Sequence, residues 1–223
     1  MSEVYEALLD RLADAIANLH PERRIRIAID GVDGAGKTML ADALAPLVLA
    51  KGRPAIRAGV DDFHNPRAVR YARGRYSPDG FFLDSYDYQA FRGLLLDPLA
   101  PEGSGAYVAR HFDHRIDQPV ASQPTQAPPA AALIVDGIFL HRSELRAYWD
   151  ISIFLQIDLA VSRERNAARE GIPEALDPDT PANRRYNGGQ QRYLAECEPA
   201  RHADIVIDYN DLRVPRILKW NSR

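Results

Sequence analysis

The 223-residue chain has one cysteine, Cys197, and only two methionines and two tryptophans. A single thiol excludes an internal disulfide framework and any zinc site built from several cysteines. Cys197 reads as a packed small side chain, since no histidine or basic neighbour in sequence argues for a nucleophile. A surplus of basic charge is also missing: 28 Lys and Arg stand against 31 Asp and Glu, a formal net charge of −3. That argues against nucleic acid as a partner, because nucleic-acid binders concentrate positive charge on one face. No apolar run reaches the roughly 18 residues of a membrane span. The opening MSEVYEALLDRLADAIANL is acidic where a signal peptide needs a basic start and a continuous apolar stretch. No membrane partner is therefore expected, and a cytoplasmic location is.

With 46% hydrophobic and 26% charged residues, the composition is that of an ordinary globular protein. Val4, Leu8, Leu12, Ala15 and Leu19 recur at helical spacing, so residues 1–20 are expected to form a leading amphipathic helix. Strands are expected over residues 24–30, 54–60, 133–137, 149–157 and 203–209, with helices over 37–49, 88–96, 162–169 and 181–198. Strands alternating with helices predict an α/β fold around a parallel sheet of about five strands. Residues 118–131, QPVASQPTQAPPAA, are proline-rich and aperiodic, and read as a surface loop feeding the LIVDG strand. The halves on either side of that loop look too small for independent cores, so 1–223 is expected to be one domain.

The stretch from Gly31 to Thr38, GVDGAGKT, fits G-x-x-x-x-G-K-[ST] in full. An apolar strand precedes it and a helical pattern follows, which is the context the motif needs to grip phosphate. Glycines let successive backbone N–H groups point at phosphate oxygens, and the following helix adds its positive end. Lys37 is expected on the β- and γ-phosphates and Thr38 on Mg²⁺. The candidate ATP contacts are Gly31, Asp33, Gly34, Ala35, Gly36, Lys37, Thr38 and Met39.

A phosphate grip serves hydrolases and kinases alike, and what separates them is where the phosphoryl group goes. A kinase needs a carboxylate placed to take the proton from the attacking hydroxyl. Asp61 and Asp62 sit just beyond the second strand, where ligands bind in open α/β sheets. Asn65-Pro66 makes a good N-cap and first-turn pair, which leaves both aspartates without a capping task. Asp136 ends the LIVDG strand and could hold Mg²⁺ through water; the next residue is Gly137, not the glutamate that usually activates water in ATPases. With Thr38 and Asp61 it completes the candidate metal oxygens.

The ordered set GVDGAGKT, VDDFH, LIVDGIF and an arginine-studded helix after DISIFLQID resembles the uridine kinase-like family of P-loop kinases over residues 25–208. Nicotinamide riboside kinases and phosphoribulokinases belong to the same wider group. The resemblance implies Asp61 as general base, with Asp62 at the motif's variable second position. It implies a ribose-holding aspartate at Asp84, with Asp87 as the near alternative, and an acceptor segment at His111, Asp113 and Arg115. Arg165 and Arg169 match lid arginines that close over the phosphates, within a lid region of about 160–198. His64 stands where uridine kinases usually carry tyrosine, and His111-Phe112 replaces the tyrosine before Asp113, which bears on the acceptor's identity. The basic cluster Arg67, Arg70, Arg73 and Arg75 reads as a solvated surface.

The expected activity is Mg²⁺·ATP-dependent phosphoryl transfer to a small-molecule hydroxyl, foremost a nucleoside 5′-OH. A sugar, pantothenate or nicotinamide riboside acceptor is the alternative, as is a regulatory NTPase with no such acceptor. Relatives of this kind are commonly oligomeric, so a homo-oligomer is among the expectations.

Overall fold

In the computed structural model, residues 2–171, 177 and 180–221 are described. Helix α1 (Glu3–Asn18) is capped by Ser2, whose hydroxyl accepts from the Tyr5 N–H, and it buries Tyr5, Leu8, Leu9, Leu12, Ala13 and Ile16. The buried stripe is turned from the expected one, and Val4 is exposed. The chain then runs through β1 (Ile25–Gly31), α2 (Lys37–Ala50), β2 (Ala55–Gly59) and a single 3₁₀ turn (Val60–Phe63). Short helices α3 (Arg67–Arg70), α4 (Pro78–Asp84) and α5 (Tyr88–Phe91) follow, α5 continuing as a π turn to Leu96.

Four two-residue strands come next: β3 (Ala106–Tyr107), β4 (Phe112–Asp113), β5 (Gln118–Pro119) and β6 (Thr125–Gln126). They pair antiparallel as β3 with β6 and β4 with β5. The proline-rich stretch is thus pinned at two points by backbone hydrogen bonds. The remaining elements are β7 (Ala132–Gly137), a further 3₁₀ turn (Arg146–Tyr148), β8 (Ile151–Gln156), α6 (Leu159–Glu170), α7 (Pro181–Cys197), α8 (Pro199–His202), β9 (Ile205–Asp208) and β10 (Arg216–Trp220).

The main sheet has the order β10-β9-β8-β1-β7-β2. Five strands are parallel, and β10, which the sequence pattern did not signal, adds antiparallel to β9 at the edge. Every residue of β7 is buried, as expected of a parallel strand covered on both faces. One apolar cluster lies under α1 and α2; the other gathers Phe63, Phe81, Phe82, Phe91, Phe139 and Tyr193 on the opposite face. Register decides what meets at the carboxyl edge. Asp136 of β7 stands level with Ile29 of β1 and Gly59 of β2, so the loops leaving all three strands open onto one crevice. No helix among the described residues is long and apolar enough to cross a membrane.

Candidate active site

The loop from Gly31 to Thr38 folds as its glycines require. Gly34 and Gly36 have φ of +71° and +89°, a region that side-chain-bearing residues enter only at a cost of about 1–2 kcal/mol. A Cβ on Gly34 would lie 2.8 Å from the Ser162 carbonyl oxygen, so α6 presses directly on the loop. The Lys37 ammonium donates to the Val32 carbonyl at 2.9 Å, and the Ala35 N–H donates to the same residue's carbonyl at 3.1 Å. Asp33 is held from two helices: its N–H donates to Gln190 Oε1 at 2.7 Å, and its carbonyl accepts from the Ser162 hydroxyl at 2.6 Å. Arg165 of α6 donates to the carbonyls of Gly34, Tyr209 and Asn210. Partial burial lowers its pKa from the usual guanidinium value. Arg169 lies exposed at the end of the same helix, so the two candidate lid arginines occupy different settings. Residues 172–176 and 178–179 of the expected lid lie outside the described residues.

Beyond the loop, a cavity of about 400 Å³ opens at the strand ends, lined by Thr38, Arg57, Asp61, Asp62 and Asp136 together with residues 110 and 112–115. Thr38 donates its hydroxyl to Asp136 Oδ2 at 2.5 Å. The other oxygen, Asp136 Oδ1, accepts from Arg57 at 2.8 Å, and Arg57 also bonds Asp42. These oxygens fit Mg²⁺: a threonine hydroxyl and one carboxylate suit a cation that keeps several waters and shares phosphate oxygens. Among the described residues no group of three His, Cys, Asp or Glu could cage a metal, so the phosphates would have to complete its shell.

Asp61 projects from the 3₁₀ turn, and its Oδ1 accepts from the Tyr86 hydroxyl at 2.8 Å. Burial, and then the neighbouring Asp61 charge, push the Tyr86 phenol well above its ordinary value, so it remains a donor. The His64 ring centroid lies 4.5 Å from that of Tyr86 and 4.5 Å from that of His114. Its Nδ1–H donates to the Asp61 carbonyl at 2.8 Å, and burial depresses its pKa to about 4. Asp62 pairs with Arg110 at 3.1 Å; burial nevertheless raises its pKa above the usual carboxylate range. Arg110 also reaches Asp113 at 2.6 Å, and the Arg115 N–H holds the Asp113 carboxyl below that range.

The cavity thus brings together Thr38, Asp61, Asp62, Asp113, Arg115 and Asp136 of the expected site. His64 is not among the lining residues and bonds the Asp61 carbonyl, and His111 stacks on Phe63 at 6.3 Å with its N–H on the Asp62 carbonyl. Asp84 is not among the lining residues and pairs with Arg73 at 2.9 Å. Asp87 caps α5 by accepting from the Ala90 N–H. Met39 lines a separate apolar cavity of about 320 Å³ with Tyr5, Ala43, Tyr209 and Leu212. Asn65 does not cap the helix that follows Pro66; its side chain donates to the Asp84 carbonyl instead. Nor is the 67–75 arginine cluster uniformly solvated, for Arg70 is buried and paired with Asp117. Cys197 is buried, and burial raises its pKa, as suits a packed thiol.

Sequence reasoning missed Tyr86, Arg57, Arg110 and His114. Arg57 left one trace, a charge inside the apolar run AIRAG, whereas the others carry no pattern of their own.

No protein-family model and no curated protein matches the sequence. Solved structures do. The chain superposes on a possible uridine kinase from Bacillus stearothermophilus with a TM-score of 0.71 at 22% identity, over 90% of this chain and 97% of that one. A candidate fructose transport system kinase from Silicibacter sp. matches with a TM-score of 0.66 at 23% identity, over 86% and 94%. D-glycerate 3-kinase from Cryptococcus neoformans matches with a TM-score of 0.59 at 10% identity, over 98% and 100%. The chain shares the fold of these structures.

Proposed function

We propose that the protein, over residues 1–223, is a Mg²⁺·ATP-dependent kinase that phosphorylates a hydroxyl of a small molecule. The observation that carries this reading is Asp61: it lines the same cavity as Thr38 and Asp136, with one carboxylate oxygen held by Tyr86. A carboxylate fixed in that way leaves its second oxygen to accept a proton from an incoming hydroxyl. The glycine loop and Lys37 bind the phosphates, and the apolar notch by Met39, Tyr209 and Leu212 suits the nucleotide's base. Mg²⁺, held by Thr38 and by Asp136 through water, would neutralise phosphate charge. Arg165 of α6 bonds the Gly34 carbonyl of the phosphate loop, and with Arg169 it would stabilise the charge of the transferring group. The names of the similar structures span a nucleoside, a sugar and a hydroxy acid as acceptors, and a nucleoside 5′-OH remains the leading choice from the VDDFH and LIVDG motifs.

The test is ADP release with uridine, cytidine, nicotinamide riboside, pantothenate, fructose and D-glycerate offered in turn. Stimulation by at least one acceptor supports the kinase. Slow ATP hydrolysis that none of them accelerates would favour a regulatory NTPase instead.

A further inference from the structure

We propose that Asp30, His141 and Tyr193, with Gln190, form a brace of positioning residues that fixes the phosphate loop from behind. The proposal rests on the nucleotide-site reading above but concerns residues that this reading does not use. Asp30, next to last in β1, has no exposed surface, and His141 and Tyr193 are buried as fully. A carboxylate so placed is costly unless its oxygens are hydrogen-bonded. Here both oxygens accept. Asp30 Oδ1 accepts from the Gly31 N–H at 2.7 Å, which orients the first peptide of the phosphate loop. Oδ2 accepts from the His141 N–H at 3.0 Å, from His141 Nδ1–H at 2.7 Å and from the Tyr193 hydroxyl. The Tyr193 oxygen in turn accepts from the His141 N–H at 3.0 Å.

Two further features say that the arrangement positions the loop and does more than fill space. The turn that delivers His141 passes through Phe139 at φ +69°, a strained backbone for an aromatic residue. Gln190, one helical turn before Tyr193 on α7, is buried and bonds the Asp33 N–H, so one face of α7 holds the phosphate loop at Asp33 and, through Tyr193, the Asp30 that precedes it. The same helix also packs against α3 and α4. Arg185 donates to the carbonyls of Ser77 and Arg70, and Gly189 lies against Phe81 and Pro78. A buried polar cluster of this kind is often no more stabilising than an apolar one of equal volume, and its best-attested use is to fix register. His141 Nε2 has no partner among the described residues, so the imidazole's contribution to the brace is its Nδ1–H.

The experiment is calorimetric titration of ADP with Mg²⁺ into the full chain and four variants, with melting temperature recorded for each. Tyr193→Phe, Gln190→Met and His141→Leu are expected to weaken ADP binding about tenfold, while His141→Asn, whose amide can replace the Nδ1–H donor, recovers most of the loss. In the same variants the KM for ATP rises and the KM for the acceptor does not. Tyr193→Phe is isosteric and decides the matter if His141→Leu does not fold. Unchanged ADP affinity in Tyr193→Phe would overturn the brace, as would an equal loss in His141→Asn and His141→Leu. Failure of the wild-type chain to bind ADP would overturn the nucleotide site itself, and the brace with it.

Discussion

The two walls of the crevice are built on different principles. The phosphate wall is eight consecutive residues, Gly31 to Thr38, whose shape comes from backbone: two left-handed glycines and a helix start. The facing wall takes its side chains from separate segments: Asp61 and Asp62 from the turn after β2, Tyr86 from the approach to α5, and Arg110, Asp113 and His114 from a hairpin of two-residue strands. A backbone site is specified locally and tolerates little, because each N–H has one direction. A site assembled from side chains is specified by packing, so its chemistry can be altered one residue at a time. That contrast predicts that substitutions in the first wall weaken nucleotide binding, whereas those in the second spare the nucleotide and change turnover or acceptor.

The largest effect is expected at Asp61. Asp61→Asn keeps the shape and the Tyr86 contact but cannot take a proton, and positioned base catalysis contributes about 10²–10⁴-fold. Steady-state assays should show kcat reduced by at least about 100-fold, with ADP affinity by calorimetry close to wild type. Near-normal turnover would remove Asp61 from its role.

Gly34→Ala tests the other wall. The substitution imposes a left-handed alanine, and its Cβ would sit 2.8 Å from the Ser162 carbonyl, backbone that α6 holds in place. ADP affinity is expected to fall about tenfold and Tm by a few degrees. Unaltered binding would mean that the loop's shape is not what grips the nucleotide.

The same contrast explains how much could be read without coordinates. The strands, the phosphate loop and the approach of Asp61 and Asp136 to one edge follow from short-range pattern, because residues adjacent in sequence decide them. Tyr86 could not be found that way. Its role depends on a hydroxyl reaching a carboxylate 25 residues away, and a tyrosine in SYDYQ looks like any core aromatic. Asp30 was legible as a residue, a charge closing an apolar strand, but not as a brace, because His141 and Tyr193 are 111 and 163 residues distant. Strand β10 escaped because RILKW has only partly buried or exposed positions and an edge strand needs little apolar signal. The two-residue strands within and beside the proline-rich stretch are too short to carry a period.

A smaller effect is expected at Arg110, which bridges Asp62 and Asp113 from a half-exposed position. Exposed ion pairs contribute at most about 1 kcal/mol, so Arg110→Met should raise the acceptor KM no more than about fivefold and leave the KM for ATP alone. A rise in the KM for ATP of similar size would erase the division between the walls.

The last effect lies in the pH dependence of stability, not in activity. Burial depresses the His64 pKa from 6.5 to about 4. Between those values the unfolded chain binds a proton at this site that the folded protein does not. Stability therefore rises with pH across the window, is fully present above 6.5 and is lost as pH falls toward 4. The Asp61 carboxylate and carbonyl nearby favour the charged imidazole and oppose the shift, while His114 and Arg70 reinforce it. Urea titrations of wild type and His64→Gln should therefore run parallel above pH 6.5 and converge or cross below it, the difference amounting to less than one proton. Parallel behaviour down to pH 4.5 would show that His64 is hydrated in solution. The packing of Tyr86, His64 and His114 behind Asp61 would then be looser than the distances between their rings imply, and the second wall would be open to remodelling at its base as well as at its rim.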